Sequence, residues 1–292
     1  MVATSRTSHA LGGRRGITLV ELLIALLVFS IVAVLAGSGI VQALRVQSLN
    51  EANTSLQGKL RRVTEVISQD LRSTVLGAVV AAPFASGNGQ VSFTTAVGGQ
   101  GYEARRIGGN PWPGANIFRV FTDQQPVAAG DRILIVNAAG AGVTVPVGSV
   151  NPLSNGRYDV SVGGGCTISI PHVLPVRMFV VDAVGYRLLG NGDLQRQVVG
   201  EDPQALAFAL SDFVVDYGYR DQDGTLTMRS APLTDAGTPL RIDGTETLES
   251  LRVRVAARQP IFGNRTVERA YVAQIALPPP GTVNLRSVVS CP

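Results

Sequence analysis

The chain has 292 residues, of which 45% are hydrophobic, and its formal net charge of +4 gives a sequence pI of about 9.4. Three of the 25 basic residues precede residue 17, so the remainder carries 22 basic and 21 acidic residues and a net charge of about +1. All basic residues except Lys59 are arginines, and they are scattered along the chain, so the high pI is only a weak indication of nucleic-acid binding.

A charged flank meets a long apolar segment near the N-terminus. Arg14 and Arg15 precede Gly16, Glu21 follows, and residues 22–44 carry no charge. At about 1.5 Å per residue, a helix over this uncharged stretch reaches roughly 34 Å, enough to cross a hydrocarbon core of about 30 Å. The two arginines are expected to stay on the cytoplasmic side. The apolar stretch is too long for a secretory signal peptide, which leaves a plain membrane anchor or a chain that is cut after Gly16.

Residues 16–21, Gly-Ile-Thr-Leu-Val-Glu, resemble the prepilin signal of type IV pilins and type II secretion pseudopilins, with Ile17 in place of the usual Phe. The resemblance implies that prepilin peptidase cuts after Gly16 and methylates the new amine of Ile17. It also implies a role for Glu21, because an ionised carboxylate beside a membrane segment is costly without a partner. The expected partner is the N-terminal ammonium of a neighbouring subunit, so Glu21 is predicted to form the charge pair of assembly.

After the apolar segment, the sequence predicts an amphipathic helix over residues 45–80. No proline precedes Pro83, so this helix is expected to continue the membrane and assembly helix of residues 17–44 as one element roughly 96 Å long. Gly37 and Gly39 mark either a soft point of low helix propensity or a place where two helices approach closely. The predicted buried stripe, at spacings of three and four, consists of Val46, Leu49, Leu56, Leu60, Val63, Ile67 and either Leu71 or Val75.

From Pro83 onward, the chain is rich in glycine and in short apolar or alternating runs. The sequence therefore predicts an α+β fold, with the long helix packed on a mainly antiparallel, β-rich head at 81–292 and, as one option, a sub-sheet inserted at 84–175. Turn signals separate the runs at Asn88-Gly89, Asn155-Gly156, Asn191-Gly192-Asp193 and Asp223-Gly224. The predicted strands are 91–97, 117–122, 132–137, 143–147, 158–162, 176–182, 186–189, 194–199, 213–220, 251–258 and 271–277.

Four segments outside the N-terminal signal make the resemblance more specific, because they point to particular subfamilies of pilin-like proteins. Their order is similar to that of PilW-type minor pilins and of the related J-type pseudopilins. The resemblance covers residues 16–80 and, more loosely, 176–277. The segments are 69–72, 186–196, 212–224 and 251–255.

The resemblance implies a structural subunit that has no enzymatic activity and no cofactor. It would pass once through the bacterial inner membrane and move through the periplasm into a surface filament, with the assembly platform and other major and minor pilins as partners. The first expectation is a minor pilin at or near the tip of a type IV pilus, serving assembly, adhesion, twitching or DNA uptake. A J-type pseudopilin is the alternative within this class, and a membrane-anchored binding domain or hydrolase is the alternative outside it.

The head holds few residues that suggest chemistry. Cys166 and Cys291 lie in an oxidising compartment under this topology, which favours a disulfide over two buried thiols. Asp221 and Asp223 stand in a glycine turn but lack the remaining ligands of a calcium loop, so a solvated hairpin turn is the preferred interpretation. His172 has no catalytic motif around it. The sequence therefore predicts neither a metal site nor catalytic residues.

Overall fold

The computed structural model describes residues 18–97, 101–108, 112–279 and 284–291. One long helix is followed by a β-rich region in which the strand pairs are antiparallel, apart from one parallel pair between the strands Ala141–Leu153 and Ser287–Ser290. The predicted α+β fold is therefore confirmed. The predicted leader, residues 1–16, lies outside the described residues.

The helix α1, Leu19–Arg72, runs without a break from the apolar segment into the head. Among the described residues, it is the one helix long and apolar enough to cross a membrane. Its buried face starts at Ala52 and comprises Ala52, Leu56, Leu60, Val63, Thr64, Ile67 and Leu71. The prediction that Val46 and Leu49 are buried is wrong for the single chain, because both lie before this packed face and are 52% and 39% exposed.

The helix ends at Arg72, short of the predicted end at residue 80. The Ser73 N–H bonds back to the Gln69 carbonyl at 3.2 Å and closes the last turn. The next residues form the strand β1, Thr74–Val80, because this valine-rich stretch suits a buried strand and Gly77 takes a φ of +64° that a helix excludes.

Eighteen strands follow α1 in the described residues, and every predicted run overlaps one of them. The runs 176–182 and 186–189 are two parts of one long strand, β8. Eight strands of the described residues are short or lack a clear apolar alternation and are not predicted from the sequence, namely β1 (Thr74–Val80), β3 (Tyr102–Arg106), β10 (Gln204–Ala207), β12 (Leu226–Arg229), β13 (Thr234–Asp235), β14 (Thr238–Pro239), β15 (Ile242–Asp243) and β18 (Ser287–Ser290). The strands after β1 are β2 Gln90–Ala96, β3 Tyr102–Arg106, β4 Ile117–Phe121, β5 Arg132–Val136, β6 Ala141–Leu153, β7 Arg157–Val162, β8 Arg177–Leu188, β9 Leu194–Val198, β10 Gln204–Ala207, β11 Leu210–Arg220, β12 Leu226–Arg229, β13 Thr234–Asp235, β14 Thr238–Pro239, β15 Ile242–Asp243, β16 Glu246–Ile261, β17 Arg265–Ala276 and β18 Ser287–Ser290.

Two antiparallel sheets and α1 enclose the main core. The first sheet has the order β1–β2–β8–β9–β10, and the second has the order β12–β11–β16–β17, with the short β15 also beside β16. Side chains from α1 and from both sheets form one buried cluster, so the helix covers a core that neither sheet would bury alone. Its members include Leu60, Val63, Ile67, Phe93, Tyr186, Phe213, Tyr217, Leu251 and Val253.

A second core lies inside a closed ring of strands. The ring runs β3–β4–β7–β6–β5–β8 and back to β3, and each neighbouring pair is antiparallel. The strand β8 belongs to the ring at its start and to the first sheet further along. The ring spans 102–180 and so differs in its limits from the sub-sheet predicted at 84–175. In particular, β2 lies within the predicted limits but pairs with β1 and β8 in the first sheet. The buried interior includes Phe118, Ile133, Ile135, Val145, Val160 and Met178.

Asp70, near the end of α1, fastens the helix to the β8–β9 hairpin. Its Oδ2 accepts a hydrogen bond from the Tyr186 hydroxyl at 2.6 Å and another from Arg196 Nε at 2.9 Å. Burial, together with the Asp70 carboxylate, raises the pKa of Tyr186 well above its ordinary value, so the hydroxyl stays a donor. One carboxylate thus joins two segments that carry the resemblance, 69–72 and 186–196.

Replacing Asp70 by asparagine is expected to destabilise the head by about 1–3 kcal/mol, because the half-buried Arg196 loses its charged partner. Urea unfolding of the full chain in detergent micelles, followed by circular dichroism, measures the change. Glu65→Gln on the exposed side of the same helix is the matched control and should change stability by less than about 0.5 kcal/mol. Equal effects of the two substitutions would contradict this role of Asp70.

Candidate assembly site at the start of the helix

Thr18 starts α1 as its N-cap and forms a capping box with Glu21. The Glu21 N–H donates to Thr18 Oγ1 at 3.3 Å. In return, Glu21 Oε2 accepts hydrogen bonds from the Thr18 N–H at 3.1 Å and from the Thr18 hydroxyl at 3.2 Å. This role of Thr18 is not among those predicted from the sequence, although the Thr-x-x-Glu signature of residues 18–21 indicates it.

The capping box occupies one carboxylate oxygen of Glu21, Oε2. Oε1 accepts no hydrogen bond from any described residue, and no described arginine or lysine forms an ion pair with Glu21. An acid in the first turn gains about 0.3–1 kcal/mol from the helix dipole, which is less than the several kcal/mol that a charge costs in hydrocarbon. Within the described residues, the charge of Glu21 is therefore not neutralised by any cationic side chain.

The helix beside Glu21 presents a large apolar surface. Every side chain over 19–44 is exposed in the single chain, and Phe29 is 70% exposed. Gly37 and Gly39 stay helical, with open space where a Cβ would be. Because an uncovered apolar surface of this size is unfavourable in water, it needs lipid or other helices around it, which fits membrane anchoring before assembly.

The remaining residues of the predicted N-terminal signal lie outside the described residues. They are Gly16 and Ile17 at the cleavage point and Arg14 and Arg15 in the basic flank. Their roles in processing, N-methylation and orientation stay predictions.

Cys166 and Cys291 form a disulfide, as the sequence predicts, with their Cα atoms 6.2 Å apart. The Cys291 N–H also donates to the Thr144 carbonyl of β6 at 2.9 Å. The bond and the parallel β18–β6 pairing fasten the C-terminal part of the chain to the ring.

The turn that contains Asp221 and Asp223 is closed by groups of the chain itself. Asp221 Oδ1 accepts from the Thr225 N–H at 2.8 Å, and Arg220 donates to the Gly224 carbonyl. A guanidinium on that carbonyl competes with any bound cation, so this residue set does not fit a calcium ion. Within the described residues, no group of three or more His, Cys, Asp or Glu side chains could hold a metal.

His172 packs against Trp112 at the ring, with 5.1 Å between the ring centroids. Its Nε2 has no hydrogen-bond partner among the described residues. A catalytic base needs an orienting group or a nucleophile within hydrogen-bond reach, and the described neighbours of His172 supply neither.

The outer face of the second sheet carries arginines that are paired with acids. Arg252 lies 2.8 Å from Asp216, Arg258 lies 3.1 Å from Glu268, and a longer pair of 3.7 Å joins β16 to β11. Such cross-strand pairs neutralise the face. These paired arginines on the outer face therefore do not create a surface for a polyanion.

Comparison with known protein families finds a match at the N-terminal segment. Residues 12–37 match the prokaryotic N-terminal methylation motif. The matched segment contains the predicted cleavage point, Thr18 and Glu21, and it extends into the apolar half of α1. No curated protein and no solved structure matches the chain. The motif supports a pilin-like or pseudopilin-like protein that is a substrate of prepilin peptidase.

Proposed function

We propose that this chain is a PilW-type minor pilin that enters a type IV pilus at or near its tip. The observation that carries the proposal is the match of residues 12–37 to the N-terminal methylation motif. The chain is held in the inner membrane by α1, is cut after Gly16 and is methylated at Ile17. The assembly platform then extracts it and joins it to other major and minor pilins.

Glu21 supplies the charge recognition in this scheme. Its Oε1, to which no described residue bonds, accepts the N-terminal ammonium of a neighbouring subunit, while the capping box keeps the other oxygen turned toward Thr18. Two charges that are each costly in lipid become tolerable when they are paired. The apolar face of α1 adds non-directional affinity, and the head selects the neighbours.

The ring spanning 102–180 enlarges the head beyond the core that packs on α1, and this large insert favours the pilus over type II secretion. The same motif would also serve a J-type pseudopilin of type II secretion, the alternative within the class. An anchored binding domain or hydrolase that never assembles is the alternative outside it.

Mass spectrometry of the mature chain tests the proposal at its basis. We expect an N-terminal peptide that begins with N-methyl-Ile17, and a strain without prepilin peptidase should retain the chain that starts at Met1. A chain that stays uncut in the presence of the peptidase, or a cut beyond residue 36, would exclude a pilin. Immunogold labelling of sheared filaments then tests the tip position, where label along the whole shaft would contradict it.

A further inference from the structure

The strand β17, Arg265–Ala276, forms one edge of the second sheet. It pairs with β16 over twelve successive residue pairs without a register shift, and among the described residues no strand pairs with its other side. It contains neither proline nor glycine. Most of its side chains are exposed, including Tyr271 at 44% and Val272 at 54%. A long, regular, exposed edge of this kind is a template for another strand.

The other sheet edges in the described part of the chain are short or interrupted. β10 has four residues and a register shift against β9, and β12 has four residues. β1 is interrupted by a register shift between Thr74 and Val79. Short length and an interrupted register are two features that stop one protein from adding strands to another. β17 has neither of them.

A groove runs beside β17, between the strand and α1. One half, of about 520 Å³, lies between Thr54–Arg61 of the helix and the Arg269–Tyr271 part of the strand. The other half, of about 490 Å³, continues to Arg72 and Ile275. At about 1.5 Å per helical residue the groove is roughly 27 Å long, which is the length of about eight residues in an extended strand.

The groove has a basic lining. Arg61, Arg72 and Arg269 border it, against Glu65 as the one acidic residue of the lining. None of these three arginines forms an ion pair within the described residues, although Arg269 donates to the Asn53 side chain at 2.9 Å. All three are exposed. The lining therefore favours a segment that carries carboxylates on the side facing the helix.

We propose that β17 and this groove bind an extended, acidic segment of a different subunit, which adds to the second sheet as a further strand. Backbone hydrogen bonds to the free edge of β17 would give affinity, and Arg61, Arg72 and Arg269 would select acidic side chains. Tyr271, which lines both halves of the groove, supplies an aromatic contact at its centre.

A second copy of this chain does not fit the same site. It would place the arginine-rich lining against itself, where like charges repel. An antiparallel pairing of two β17 strands would also point their α1 helices in opposite directions, since α1 and β17 run the same way along the groove, whereas both helices have to enter one membrane from the same side. The occupant is therefore another protein of the membrane or filament.

Binding of a designed peptide to the full chain in detergent micelles tests the proposal. The probe is a fluorescein-labelled peptide of nine residues in which glutamate alternates with valine or threonine, and the counter-probe has lysine in place of glutamate. We expect saturable anisotropy changes with the acidic peptide and at least about tenfold weaker binding of the lysine peptide. Amide hydrogen exchange in β17 should slow when the acidic peptide is bound.

Paired variants separate charge selection from strand addition. Arg61→Glu combined with Arg72→Glu should weaken the acidic peptide about tenfold or more, whereas Arg62→Glu, which lines the opposite side of the helix beside β10, should change affinity less than about twofold. Ala270→Pro and Tyr271→Pro remove N–H groups that point to opposite edges of β17. The variant that loses an N–H on the free edge should keep the melting temperature and fail to bind the peptide. The variant that loses an N–H bonded to β16 should lower the melting temperature.

Failure of the acidic peptide to bind would overturn the proposal. So would binding that survives both proline substitutions, because the attraction would then be electrostatic without an added strand. The inference rests on anchoring of α1 in a membrane and not on incorporation into a filament. A chain that binds the peptide but is absent from filaments would therefore contradict the proposed function and leave the docking strand intact.

Discussion

Glu21→Ala is expected to leave cleavage and methylation largely intact and to reduce the chain in the filament fraction by about tenfold or more. The reason is that the carboxylate is the only charge in the exposed apolar half of α1, residues 19–44, and no described residue bonds to its Oε1. Without it, the ammonium of a neighbouring subunit would enter hydrocarbon unpaired, which costs several kcal/mol. Immunoblots of membrane and sheared filament fractions, with mass spectrometry of the N-terminus, give the two readouts.

Matched variants show which property of Glu21 matters. Glu21→Gln keeps a side-chain oxygen for the capping box but removes the charge, so it should fail in assembly as Glu21→Ala does. Glu51→Ala removes an exposed carboxylate from the same helix beyond its apolar half and should assemble normally. Normal incorporation of Glu21→Gln would contradict charge pairing and assign the residue to helix capping alone.

Removing the disulfide with Cys166→Ala and Cys291→Ala is expected to destabilise the head by about 4–5 kcal/mol in the chain-entropy description of cross-links. The bond joins residues that are 125 positions apart. Without it, the unfolded chain regains the conformational entropy that closing so long a loop removes, which favours unfolding. For a head of this size, the melting temperature should fall by about 10 °C or more. Thermal unfolding of the full chain in micelles, followed at a β-sheet wavelength, measures the shift.

A reducing agent provides the control for this prediction. Dithiothreitol should lower the melting temperature of the unsubstituted chain by a similar amount and leave the double variant unchanged. Amide exchange in β18 should speed up in both cases, because β18 is held to β6 by four residue pairs and the adjacent bond. A melting temperature within about 2 °C of the original would mean that the ring holds the C-terminal part without the bond.

Local signals account for the parts of the fold that the sequence predicts. The uncharged stretch at 22–44, the apolar spacing through Leu56 and Leu71, and turn pairs such as Asn155-Gly156, where both φ angles are positive, each depend on neighbours in sequence. The end of the helix is not predicted, because the buried valines of β1 continue the helical spacing by chance. Closure of the ring is not predicted either, since it depends on which strand β8 meets on each side.

The same distinction between local and long-range signals applies to the assembly site and to the contacts of the head. The cleavage signal and Glu21 are contiguous, so the sequence predicts them together, and the capping box of Thr18 is readable from the same residues. Asp70, in contrast, meets Tyr186 and Arg196 across 116 and 126 residues of sequence. The basic groove joins Arg61 of α1 to Arg269 of β17. Such long-range contacts are set by packing, which a single sequence does not show.

The shared strand β8 has a mechanical consequence for a subunit under tension. A force applied to the ring passes into β8, which continues into the first sheet as one unbroken backbone. Because the hydrogen bonds to β2 and β9 lie across the strand, a pull along β8 loads them together in shear instead of opening them one by one. The ring and the first sheet would thus resist the pull together. A force on the ring would reach α1 without first bending a flexible joint between the two parts.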